Sequence, residues 1–315
     1  MAVYAPLLRK RRIVAVKTET TVGTVEVLAA ADATYNAFEA EIQNNSDNDD
    51  REGQSAFSHL PSVIGQQIGV AKFKTELIGG TPTAPAWMLY LLPACGVYGA
   101  ALVYTPKTSP PGAGNVKTVT IGMYEDGLFK SIAGAMGNAV FTFTAGKRIM
   151  IDWTFTGVWQ PPTDVALITP TYSTVTPIRF ASSSLAWDTW TPRVAEMTLD
   201  LGNDVQMRED GASVGGLLSA VIVSRKPTVK MDPESTLLAS LATADVYGLW
   251  KAGTQATLSW SCTTGAGNTV AFSCPKAQLM KATEADRNKI QIDQLEFQLN
   301  RSASAGDDEF TITSS

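Results

Sequence analysis

Alternation of apolar and polar residues, the period of a half-buried strand, recurs from one end of this chain to the other. It runs through "RIVAVKTET" (12–20), "AKFKTEL" (71–77), "KTVTIGMY" (117–124), "AVFTFTA" (139–145) and "RIMIDWTFTG" (148–157). It returns in "VAEMTLDL" (194–201), "SAVIVSRKPTVKM" (219–231), "ATLSWSC" (256–262), "KIQIDQLEFQL" (289–299) and "EFTITS" (309–314). Such stretches must each bury one face and find partners for their edges. The predicted class is therefore mainly β. Pro227 predicts an edge or a bulge within its stretch. Two segments read as helices. In 84–96 ("APAWMLYLLPACG"), Pro85 stands near the first turn, Pro93 kinks or ends the helix, and Gly96 closes it. In 232–253, Asp232 is placed as N-cap, Pro233 at the first helical position, and Leu237, Leu238 and Leu241 form an apolar stripe.

The two halves repeat one order of features. "NNSDNDDREG" (44–53) is matched by "GNDVQMREDG" (202–211), and "VAKFK" (70–74) by "PTVKM" (227–231). A helix comes next in each half. "VYG" occurs at 97–99 and 246–248, Gly-Asn-x-Val at 137–140 and 267–270, and "RIMID" (148–152) answers "KIQID" (289–293). The shared order predicts a duplicated module. Its first copy would be residues 1–160 and its second 178–315, joined by a Pro- and Thr-rich linker at 161–177. The competing reading is one large β-sandwich with unrelated halves.

Residue chemistry points away from catalysis. At 315 residues, 44% hydrophobic and 17% charged, the chain has material for a core and is not globally disordered. A net charge of -5 does not suit a phosphate-gripping surface, and the basic run 9–12 reads as a solvated arm. Cys95, Cys262 and Cys274 read as small apolar core residues in a reducing compartment. The single histidine, His59, lies in a polar stretch with no nucleophile partner evident. "AGKR" (145–148) lacks the flanks of a phosphate-binding loop, and "GAMGNA" (134–139) and "GAGN" (265–268) read as tight turns. Asp47, Asp49, Asp50 and Glu52 crowd one loop, but their spacing departs from the helix-loop-helix calcium pattern. No catalytic set, cofactor or metal is predicted. Apolar residues precede the first charges, the reverse of a secretory signal, and no stretch suffices to cross a bilayer as a helix. The expectation is a soluble protein made in a cytoplasm, without a membrane anchor.

Several stretches in this order resemble the tail tube protein of long-tailed bacteriophages. They are "IVAVKTETTVGT" (13–24), the acidic "DNDDREG" (47–53), "FKTELIGG" (73–80) leading to "APAWMLYLLPACG", "ALVYTP" (101–106) and "DGLFKSIAGAMGNAVFTFTAGKRIMIDWTFTG" (126–157), with "SIAGAMGN" helix-like inside it. The likeness is strongest over 13–159 and returns from about 177 to "AGDDEFTIT" (305–313). Many members carry one tube module, and this chain reads as carrying two. The resemblance implies two tandem β-sandwich, barrel-forming modules, each with a flanking α-helix. It implies a structural virion protein that assembles in the host cytoplasm and belongs to the virion tail. Copies would form rings, a pseudo-sixfold trimer or a hexamer, stacked head to tail into a conduit through which viral DNA passes without specific binding. Tape measure, baseplate and tail terminator proteins would be partners. Two long loops would contact the neighbouring ring, one with Asn45, Asp47, Asp49, Asp50, Arg51, Glu52 and Ser55, the other with Asp204, Arg208, Glu209 and Asp210. The rival expectations are a hub ring that does not polymerise, and a tandem β-sandwich that binds carbohydrate on exposed tryptophans.

Overall fold

A computed structural model describes residues 6–113, 115–213, 215–237 and 245–315. Its strands in the first half are β1 (Arg12–Thr18), β2 (Phe38–Asn44), β3 (Asn48–Glu52), β4 (His59–Ile64), β5 (Ile68–Glu76), β6 (Val97–Ala100), β7 (Val103–Pro106), β8 (Val119–Glu125), β9 (Leu128–Thr144) and β10 (Met150–Asp164). Among the described residues, the second half holds β11 (Ser184–Trp187), β12 (Val194–Asp200), β13 (Asn203–Glu209), β14 (Leu217–Arg225), β15 (Thr228–Pro233), β16 (Gln255–Gly265), β17 (Asn268–Arg287), β18 (Ile290–Leu299) and β19 (Thr311–Ser314), with one α-helix, α1 (Val246–Ala252). The protein is mainly β, and its strand pairings are antiparallel.

One sheet runs β2-β5-β10-β9-β12-β15-β18-β17-β19-β7-β6, and β3–β4 and β13–β14 are separate two-stranded hairpins. The first four strands and the next four follow the same chain order: entry strand, strand after a hairpin, last strand, penultimate strand. The details agree as well. β2 and β12 each slip register against their neighbour near their start, between Phe38 and Glu41 and between Val194 and Met197. Both then alternate exposure in the same way, with Ala40 and Ile42 buried in one, Met197 and Leu199 in the other. The runs meet where Glu196–Asp200 of β12 pairs with 140–144 of β9.

A single core lies across that meeting. Phe143 of β9 sits edge-on to Phe180 (5.6 Å), Trp260 (5.8 Å) and Phe272 (5.7 Å). Phe141 likewise meets Phe272 at 5.5 Å, and Trp87 at 5.9 Å. All six of these rings are buried. Truncating one such ring to Ala costs about 3–5 kcal/mol, so aromatic packing is a main adhesive between the halves. Of the expected linker, residues 161–164 continue β10, and beyond them Leu167 and Ile168 pack beside Ala15, Leu28 and Tyr124.

Several expectations change. The segment read as helix-like (131–138) and as a tight turn (134–139) is the middle of β9. Its glycines permit close approach, not reversal. Gly134 (φ +58) sits at a bulge, where a Cβ would lie 2.9 Å from the Ser219 Cα. "GAGN" does form a turn, between β16 and β17. The helix over 84–96 is a π-helical turn (Trp87–Leu91) followed by a 3-10 turn (Leu92–Cys95), the change falling beside Pro93. Gly96 closes it in the left-handed region at φ 69°. Asp232 is not an N-cap. It lies in β15, where its Oδ1 accepts from the Ala195 N–H (2.9 Å) and the Glu196 N–H (2.6 Å) at the β12 slip. The cap of α1 is Asp245, which accepts from the Gly248 N–H at 2.8 Å. Leu238 and Leu241 of the expected stripe lie outside the described residues.

Candidate assembly interface

The two acidic stretches expected as loops are β-hairpins, and they are placed differently. Hairpin β3–β4 projects with every strand residue exposed. Its apolar side chains Phe57, Leu60, Val63 and Ile64 face solvent. Polar composition hid these strands, because an alternation with neither face buried leaves no hydrophobic period.

Hairpin β13–β14 lies against the face of β9. Ala220, Val205, Met207 and Ile222 pack with Met136 and Val116. At its base, the Asn203 side-chain amide donates to the Cys95 carbonyl (2.8 Å) and the Gly137 carbonyl (2.9 Å). Arg225, nearly buried, reaches Glu309 (3.2 Å) and Asp307 (3.4 Å). Glu19, also buried, braces the strand beneath. It accepts from Gly134 N–H (2.6 Å), Thr118 Oγ1 (2.6 Å), Thr120 Oγ1 (2.9 Å) and Gly23 N–H (2.8 Å).

The sequence-predicted contact residues fall on these two arms. Asn45 N–H donates to the Ile68 carbonyl (2.8 Å) and Asp47 N–H to the Gln66 carbonyl (3.1 Å), closing the base of β3–β4. Asp49, Asp50, Arg51 and Glu52 line its exposed strand, and Ser55 stands at the tip with φ 88°. On the docked arm, Asp204 accepts from Gln206 Nε2 (2.7 Å), and Arg208 is exposed. Asp210 organises the tip by accepting from Ala212 N–H (3.0 Å) and Ser213 Oγ (2.8 Å). The Ala212 N–H first, and the Ser213 hydroxyl second, hold the Asp210 carboxyl below its ordinary 3.8. Glu209 accepts from Gln66 Nε2 (3.0 Å), and Gln67 N–H donates to the Gly215 carbonyl (3.2 Å), so the tip of one arm meets the base of the other.

Sequence reasoning did not single out the sheet's polar face or its edges. Cross-strand partners tie the polar face together: Glu39 and Asp152 flank Lys74 at 2.9 Å and 3.4 Å, and Asn138 donates to Asp200 at 2.7 Å. In the strand pairings among the described residues, β2 pairs only with β5. Residues 281–287 of β17 pair only with β18. Period-two patterning marks faces, not edges, which is why the sequence carried no signal for these.

Among the described residues, no three His, Cys, Asp or Glu side chains converge as a metal-ligand set. His59 pairs across the exposed hairpin with Glu52. The three cysteines are buried, and burial pushes the Cys262 thiol up to about 12 and those of Cys95 and Cys274 up as well, leaving little thiolate at neutral pH. Trp153, Trp187, Trp190 and Trp260 are core residues, while Trp250 is half exposed. Among the described residues no helix is long and apolar enough to cross a membrane. No protein-family model matches this chain, and neither does any curated protein sequence.

Proposed function

We propose that this chain is a structural tail-tube subunit: copies join edge to edge into rings, the rings stack, and the bore conducts phage DNA toward the host. The observation that supports this reading most is the β12-on-β9 joint. It links two four-strand runs of one order, while the counterparts of its two sides, β2 and residues 283–287 of β17, carry no second strand among the described residues. Open edges of this kind invite pairing. A second joint of the same geometry, made between copies, is heterologous, and it closes into a ring when its rotation divides a full turn.

The internal joint also supplies a register. Ala71 pairs with Ile42 and Phe155, as Val229 pairs with Leu199 and Phe297. Since Thr198 opposes Thr142 in the internal joint, Glu41 of one copy comes to oppose Ala285 of the next. Two runs per chain make a trimer pseudo-sixfold. The polar face, carrying Glu39, Glu41, Asp152, Glu196 and Asp200 with Lys72, Lys74 and Lys230 among them, would line the bore, where its surplus of carboxylates would repel phosphates. Tape measure, baseplate and terminator proteins would then meet the tube's ends, and the protein would reside in the virion tail.

Negative-stain imaging of the purified protein tests this. Stacked tubes with sixfold or pseudo-sixfold end views are expected. Isolated rings that never stack would favour a hub ring instead. A protein that stays monomeric at high concentration would overturn the reading.

A further inference from the structure

The docked hairpin β13–β14 has an undocked counterpart, and the fold indicates where that counterpart belongs. We propose that hairpin β3–β4 lies across the β17–α1 face of a second copy of this chain, as β13–β14 lies across the β9 face within one copy. The inference rests on the ring reading above and names a further contact within it.

Carried along the chain at constant offset, the alignment of Ala71 with Val229 matches Ile64 to Ile222 and Ser62 to Ala220, and the hairpins agree, since Asn48 opposes Ile64 as Val205 opposes Ile222. Ile222 packs with its Cδ1 3.2 Å from where a Cβ on Gly96 would sit, and Gly96 is the left-handed residue closing the first helical segment. The second half closes α1 in the same way, with Gly253 at φ 63°. Both helical segments pack on the penultimate strand of their run, Leu92–Cys95 on β9 and α1 on β17. Ile64 is therefore matched to Gly253 of the next copy, and the arm to the strand beside it.

That face has the right surface. Trp250, Tyr247 and Met280 are exposed there, with the Trp250 indole N–H held on the Met280 carbonyl at 3.0 Å. The corresponding face of the arm offers Leu60 and Ile64, with Phe57 at its tip, all exposed. Apolar patches facing solvent on both sides suit mutual burial. The contact is lateral, between neighbours in one ring, whereas the sequence alone pointed to contact between rings.

The test places a photo-activated cross-linking amino acid at Ile64 and maps its adducts by mass spectrometry in the assembled full chain. Adducts on residues 247–253 or 276–281 of another copy are expected. Adducts elsewhere, or none between copies, overturn the proposal. A second arm of the experiment images F57S/I64D and W250A/M280D, with V223D on the docked hairpin's exposed side as control and circular dichroism to verify folding. Both double variants are expected to lose rings while V223D keeps them. Variants that form rings but fail to stack would sink the lateral contact and leave the ring reading intact. Absence of rings from the unmodified protein would sink the ring reading itself.

Discussion

The two hairpins of this molecule arise at the same point of two strand runs, yet one is packed and the other bare. Hairpin β13–β14 buries Ala220 against Met136 and Val116 and is pinned at its base by Arg225 and Asn203. Hairpin β3–β4 has the same place in its run and no surface beneath it. The difference lies in position. The second run has the first run beside it to receive its hairpin. Among the described residues, the first run has no strand beyond β2 to receive its own. In the proposed ring, that unsupported protrusion is one half of a repeated contact.

Substitutions at matched positions test the comparison most strongly. Ala220→Asp puts a charge where none can be solvated and should cost about 3–5 kcal/mol in urea unfolding. Ser62→Asp, its counterpart on the exposed arm, should change subunit stability by less than about 0.5 kcal/mol. Equal costs would mean that the arms do not differ as described. Next in size is Arg225→Met, which strands Asp307 and Glu309 without their cation. About 2 kcal/mol is expected, discounted because both carboxylates keep some solvent contact.

Acid should separate the arms further. Asp307 is held below its ordinary 3.8: burial pushes it up, but the Thr108 hydroxyl and N–H, with Arg225, outweigh that. Asp210 at the tip is also lowered. A carboxyl depressed in the folded state contributes stability that is complete above its unfolded value and is lost as pH falls through its folded value. Amide protection of β13–β14 should therefore decay as pH drops below about 3.8, read by hydrogen exchange. Glu26, lowered to about 2 chiefly by the Thr20 N–H and then by Lys17, adds a loss that begins below its ordinary 4.5. Unchanged protection of β13–β14 down to pH 2 would show that these carboxylates do not hold the arm. At neutral pH, β3–β4 amides in isolated subunits should exchange faster than those of β13–β14 and gain protection on assembly. The smallest effect belongs to Asp204→Asn, on the exposed side of the docked arm, within about 0.5 kcal/mol.

Much of the strand inventory was legible in single stretches. Alternation located β1, β5, β8, β12, β16, β18 and β19. The stretch read as one strand over 219–231 is two, β14 and β15, and Pro227, expected at an edge or a bulge, lies in the break between them. Glycine misled at 134–139, because a residue that lets another strand cross closely has the same identity as one that turns the chain. Asp232 misled for a related reason: a carboxylate accepting two backbone N–H groups serves a strand bulge as well as a helix start. Of the paired sequence matches, "RIMID" and "KIQID" do begin the last strand of each run. "VYG" does not correspond, since it opens β6 after the first helical segment but lies in α1 in the second half. Gly-Asn-x-Val falls mid-strand in β9 and at the start of β17.

Local side-chain pattern was enough to establish that this is a β protein, to locate most of its strands and to mark the two acidic stretches between them. Only the folded chain decided that β12 joins β9, that one arm docks while its counterpart stands clear, and that β2 and residues 281–287 of β17 each keep, among the described residues, a side without a strand partner. The reason is physical: burial depends on a residue's own polarity and is written in its neighbours' spacing, whereas edge pairing depends on backbone groups that every residue shares, so their partners are chosen by topology.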